Sequence, residues 1–164
     1  LEAWKKMFYG VALIEEASKW LVLMIFIWKN PDFNYRYDGI VYAVTASLGF
    51  AAIENVGYIL TFGTAVSVSR ALFAIPGHAT FSVFMGYYLS RAKFHSNRNH
   101  NVRKIICLIL SMLISVTVHA IYDFLLSEPC QELGYNKFFV IYVIFLDVWA
   151  YFTIRHEFKT DRPL

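Results

Sequence analysis

Apolar residues run almost unbroken through five stretches of the chain, about Met7 to Trp28, Gly39 to Phe62, Ala65 to Leu89, Ile105 to Leu126 and Phe138 to Ile154. Each is close to the roughly 20 residues that bridge the hydrocarbon core of a bilayer as a helix. The runs are continuous and lack the period-two alternation of lipid-facing strands, so they predict helices rather than a barrel. The expected fold is all-α, a polytopic transmembrane helical bundle of about five spans, forming one integral membrane domain over residues 1–164. Composition agrees with this pattern: 58% of residues are hydrophobic and 18% aromatic, and the mean hydropathy is +0.47. The chain begins at Leu1 rather than methionine, which leads us to expect further sequence upstream, and such a start carries no signal-peptide argument.

The connections between spans differ in charge. Lys29 and Arg36 follow the first span, Arg91, Lys93, Arg98, Arg103 and Lys104 the third, and Arg155, Lys159 and Arg162 the fifth. Lysine and arginine accumulate on the cytoplasmic side of short loops, so these three segments share the cytoplasmic face and the C-terminus is expected there. The opposite face holds Lys5, Lys6, Arg70 and Lys137 with the acidic Glu128 and Glu132. The basic stretch Arg91 to Lys104 reads as a topology signal in contact with lipid headgroups, not as a nucleic-acid patch. Cys107 lies in a span and Cys130 in a loop, too far apart in expected depth to bridge, and there is no CxxC pair.

Against this apolar background seven of the ionisable residues inside the spans stand out: Glu15, Glu16, Lys19, Glu54, His78, His119 and Asp123. One charged residue near the centre of a spanning helix costs about 2.5 to 3.5 kcal/mol on insertion scales, so such a set implies a site. At about 1.5 Å of rise per residue, Glu15, Glu54, His78 and His119 fall in one layer, roughly 10 to 15 Å below the extracytoplasmic surface. Lys19 follows Glu15 and Glu16 by four and three positions and is within reach of either. The carboxylate it pairs is neutralised, and its neighbour is left free for general-base chemistry on water. A buried ion pair that fixes helix register is the competing reading of this triplet. Pro76 and Gly77 precede His78 and should kink its span. Ser82 follows His78, and Asp123 follows His119, by four positions, the spacing that lets a polar group orient an imidazole.

Four of these strings, in order, resemble the motifs of the PrsW intramembrane proteases. EEASK from Glu15 to Lys19 is similar to their EExxK, and FAAIEN from Phe50 to Asn55 to their FxxxEN. HATFS from His78 to Ser82 and HAIYD from His119 to Asp123 resemble their third and fourth motifs. The resemblance covers about residues 7–126 and extends to the bacteriocin-processing proteins and the CAAX prenyl proteases, the latter with histidine where this chain has Glu54. It implies a bacterial plasma-membrane peptidase that makes the first, extracytoplasmic-side cut in a membrane-anchored anti-sigma factor during stress signalling.

The mechanism expected on this footing is hydrolysis by a water that Glu15 or Glu16 activates and Glu54 helps to hold. His78 and His119 then polarise the scissile carbonyl, Lys19 tunes the glutamate pair, and Ser82 and Asp123 position the imidazoles, with Asn55 in support. The alternative is a zinc or other divalent-metal peptidase with His78, His119 and Glu54 as ligands and Glu15 or Glu16 as base. No HExxH string is present, and the metal-free scheme is preferred. Two non-protease readings remain: a proton- or metal-ion-coupled transporter, and a haem-binding anchor with His78 and His119 as axial ligands.

Overall fold

The computed structural model describes residues 2–135 and 137–164. Helix α1 occupies residues 2–27 and alternates regular turns with wide ones, at Lys6–Ala12 before the glutamate pair and Leu23–Ile27 after it. Helix α2 is Asp38–Phe62. It stops at Gly63, whose φ of 80° is open to glycine and strained for other residues. Helix α3 covers residues 64–97, with a short tight turn at Thr64–Val66, a wide segment at Arg70–Ala74, and then a regular run, Ile75–Asn97. Helix α4 is Asn101–Leu126, α5 is the short Glu128–Glu132, and α6 is Lys137–Lys159.

All five expected spans are therefore helical, and α2, α4 and α6 are each long and apolar enough to cross a membrane. Helices α1 and α3 meet that condition less well. The first packs Glu15, Glu16 and Lys19 into five residues, and the third continues past Leu89 to Asn97, so Arg91 and Lys93 are helical rather than in a loop. Pro76 sits in the first turn of the regular part of α3, where a missing N–H costs least, and the wide turns before it absorb the irregularity expected of the Pro-Gly pair.

Helix α3 is the axis of the bundle. From Gly77 to Ala92 most of its side chains are buried, Phe81 and Phe84 against Val118, Tyr122 and Leu146, and Met85 and Leu89 against Leu23, Phe33 and Ala43. It meets α2 at a glycine-on-glycine crossing: a methyl on Gly86 would collide with the Gly39 carbonyl and lie 2.6 Å from the Ile40 Cα. Close backbone approach of this kind drives helix association in lipid, where hydrophobic burial between helices gains little. The outer faces are apolar instead, with Leu60 82%, Ile53 77% and Ile141 64% exposed. Polar side chains are turned inward and large apolar ones outward, as expected for a membrane protein.

Candidate active site

Four helices bring the expected residues together. On α1, Glu15 and Glu16 are neighbours and so project about 100° apart around the axis. Glu16 turns into the bundle, where it is fully buried. Its Oε1 accepts from Lys19 Nζ at 2.6 Å, one turn on, and faces His119 Nδ1 at 2.9 Å, while its Oε2 accepts from Ser115 Oγ at 2.6 Å. Glu15 turns instead into a cavity of about 610 Å³ that it shares with Glu54, Arg70, His78, His119 and Asp123. Its buried Oε2 has no hydrogen-bond partner among the described residues and lies 4.0 Å from His119 Nε2. The lysine therefore neutralises Glu16 and leaves Glu15 free.

Lys19 also reaches His78 Nδ1 at 2.9 Å, and its ammonium lies over the Phe50 ring at 4.8 Å. An ammonium has only donors, so Nδ1 accepts, and the ring proton of neutral His78 sits on Nε2. That nitrogen is 2.9 Å from Glu54 Oε2 and donates to it. Ser47 Oγ donates to the His78 backbone carbonyl at 2.8 Å. On α4, His119 Nδ1 donates to Glu16, and its Nε2 faces Asp123 Oδ2 at 3.4 Å, so the i, i+4 pairing read from HAIYD is present. The two imidazoles stand edge to face with centroids 5.2 Å apart and planes at 87°. They leave no room for a porphyrin between them, which removes the haem-anchor reading.

Two expectations need correction. Ser82 is fully buried but its Oγ makes no hydrogen bond among the described residues, so it does not orient His78; Glu54 and Lys19 do. The ligand set also changes. Glu15, rather than Glu54, offers an oxygen that lies with nitrogens of His78 and His119 within 4.8 Å of one another. Glu54 is drawn aside by Arg70, whose Nη2 donates to Glu54 Oε2 at 2.7 Å and whose Nε donates to Asn55 Oδ1. The guanidinium stacks 3.6 Å from the Tyr58 ring centroid, so both polar residues of FAAIEN are held by one arginine from the next helix.

Arg70 and Ser115 were both missed in the sequence. Arg70 read as an ordinary loop charge, and nothing in its neighbourhood signals its reach. Ser115 could have been found, since it precedes His119 by four positions and shares its face with Ser111, which accepts from Trp20 Nε1 at 2.9 Å. Asp147, in the last span, was passed over as well; it accepts from Thr80 Oγ1 at 2.9 Å and ties α6 to α3 outside the cavity.

Comparison with known proteins bears on this arrangement. The family model described as "PrsW family intramembrane metalloprotease" matches residues 2–151. The chain is 40% identical over 139 residues to the Protease PrsW of Oceanobacillus iheyensis, covering 85% of this chain and 60% of that protein. It is 40% identical over 128 residues to that of Geobacillus kaustophilus, with 78% and 54% covered. Against that of Bacillus subtilis the identity is 34% over 136 residues, with 83% and 61% covered. The chain thus spans between 54% and 61% of the length of these relatives. No solved structure matches.

Proposed function

The chain belongs to the PrsW family, and from that premise we propose that its cavity hydrolyses a peptide bond in a membrane-anchored protein, with Glu15 as the base that activates water. The observation that carries this reading is the Glu15 carboxylate, which opens into the cavity with a buried, unpartnered Oε2 facing His119. A water there gives its proton to Glu15 as its oxygen attacks the scissile carbonyl carbon. Glu15 then passes that proton to the departing amine nitrogen as the C–N bond breaks. His119 in its imidazolium form gives its Nδ1–H to Glu16 and turns its Nε2–H, 3.4 Å from Asp123 and 4.0 Å from Glu15, into the cavity as the donor for the carbonyl oxygen, where negative charge builds, while the His78 Nε2–H is held by Glu54. Glu16, Lys19 and Ser115 form the rigid frame, and Arg70 fixes Glu54 as the acceptor that keeps His78 in one tautomer.

A second reading is favoured by the mutual approach of Glu15, His78 and His119. Two imidazoles and a carboxylate fit a zinc-type ion with a coordination position open, and such an ion would supply Lewis acidity to water and carbonyl. His78 Nε2 would have to release its proton to join that set, because Lys19 already occupies Nδ1. The substrate class follows from the setting: a single-span protein, an anti-sigma factor being the first to test, cut in the extracytoplasmic half of the membrane with the C-terminus of the enzyme in the cytoplasm. The experiment is proteolysis of candidate single-span substrates by purified protein, with Glu15→Gln beside wild type and the metal content measured before and after chelation. Cleavage by wild type alone, retained without metal, supports the Glu15 scheme. Cleavage lost with stoichiometric metal and recovered on its return supports the second, and cleavage by both proteins alike overturns both.

A further inference from the structure

A second group of charges gathers on α3 about 20 Å along the helix from His78. Arg91 and His95 lie on its last turns, Arg98 just past its end, Arg36 on the connection from α1 to α2, and Arg162 on the C-terminal tail. The guanidinium carbons of Arg36 and Arg98 are 4.4 and 3.6 Å from the Phe94 ring centroid, which puts them within about 8 Å of each other. The loop and the tail are fastened together: the Arg36 N–H donates to the Arg162 carbonyl at 3.2 Å, and the Leu164 N–H to that of Asn34 at 2.8 Å. The arginines are thereby held on a built platform rather than on free ends.

Among the described residues, Arg91 is the one arginine of this group paired with a carboxylate. Glu157 is 2% exposed and accepts from one Arg91 nitrogen at 3.2 Å. Asp161 accepts from the Tyr37 N–H and Asp38 from the N–H groups of Asn34 and Tyr35. Arg36 Nε, Arg91 Nη1 and His95 Nδ1 are buried with no partner among the described residues. The crowding shows in Arg36, whose affinity for its proton is lowered first by burial and then by Arg162 and Arg91. Unmet buried donors are costly, and guanidinium forks match the oxygens of a phosphate. Trp28 and Tyr87 stand at this level, with Lys93 donating to the Trp28 carbonyl and Arg91 stacked on Tyr87, as aromatic residues do at a membrane surface.

We propose that Arg36, Arg91, Arg98 and Arg162 form a binding site for a phosphate-bearing anion. Its sources are the phosphodiester of an anionic phospholipid and free phosphate, which share the chemistry that the arginines recognise. The purified chain in neutral detergent is titrated separately with dioleoylphosphatidylglycerol, dioleoylphosphatidylcholine and inorganic phosphate, and the thermal midpoint is followed. The variant R36Q/R98Q spares the Arg91–Glu157 pair, and R155Q/K159Q removes the same charge from exposed positions at the same end of the bundle. Saturable stabilisation by phosphatidylglycerol, with half-saturation shifted roughly tenfold in R36Q/R98Q and little in R155Q/K159Q, is the expected result for a lipid source. The same pattern with inorganic phosphate, and no gain from the lipid, assigns the site to the free anion. Equal weakening in the two variants, or no saturable response to either probe, overturns the site. If R36Q/R98Q does not fold, Arg98→Gln alone, at an exposed position, is read in its place.

Discussion

The division of labour between Glu15 and Glu16 gives a prediction in which two isosteric changes at adjacent positions behave differently. Glu15→Gln removes a carboxylate whose Oε2 has no hydrogen-bond partner and whose side chain is 15% exposed. Its effect on stability should stay within about 0.5 kcal/mol, the range of changes that break no named interaction. Turnover should nevertheless fall by about 10²- to 10⁴-fold, the share a positioned general base contributes. Glu16→Gln strips the charge from a side chain that is fully buried and meets Lys19 at 2.6 Å, Ser115 at 2.6 Å and His119 at 2.9 Å. Removing one partner of a buried pair costs about 3 to 5 kcal/mol. The Lys19 contact lies within one helix, and the helix can retain it in detergent-unfolded chains, so the low end of that range is expected here. Reversible unfolding in mixed micelles, followed by circular dichroism, reads the stability, and cleavage of a single-span substrate reads the turnover. Wild-type turnover in Glu15→Gln, or a Glu16→Gln protein as stable as wild type, would refute the assignment.

Three further outcomes follow from the same geometry. Arg70→Ala should lower kcat by roughly ten- to a hundredfold with KM little changed, because Glu54 loses the group that fixes it, and Arg70→Lys should recover little since one ammonium cannot span Glu54 and Asn55; unchanged kcat in Arg70→Ala would sink the positioning role. Gly86→Ala should destabilise the chain by about 1 to 3 kcal/mol, its methyl meeting backbone of α2, whereas Gly49→Ala, with nothing within 4 Å, should gain about 1 kcal/mol, and equal behaviour in unfolding experiments would disprove the glycine crossing. With the native cysteines replaced by alanine, a cysteine at the exposed Asn97 should resist impermeant thiol reagents in intact cells while one at Glu132 reacts, and the reverse pattern would invert the proposed orientation.

What the sequence made legible was whatever depends on one helix at a time. Hydropathy located five helices, because span length and apolar content are local properties. The i, i+3 and i, i+4 spacings put Lys19 within reach of the glutamate pair and Asp123 within reach of His119, since a helix fixes those distances by itself. The same rule failed for Ser82, which shares a face with His78 but is outcompeted by groups from α1 and α2. Contacts across helices depend on how each one is rotated about its axis, which no spacing records. That is why the choice between Glu15 and Glu16 stayed open, why Glu54 rather than Glu15 was given as the third metal ligand, and why Arg70 and Ser115 were not recognised.

The rotation of α1 explains why this site needs two adjacent glutamates rather than one. Lys19 lies within one turn of both glutamates, and Glu16, three positions back, is the one it meets. Arg70 similarly holds Glu54, and Asp123 stands against His119. Each cation and each imidazole in the cavity wall is thus matched to a carboxylate other than Glu15, whose buried oxygen is left without a hydrogen bond among the described residues. The step of about 100° between neighbours lets one helix turn Glu16 inward to build the frame while Glu15 faces the cavity. Moving the free carboxylate by one residue would carry it to a different wall, so the paired motif specifies a direction as well as a charge.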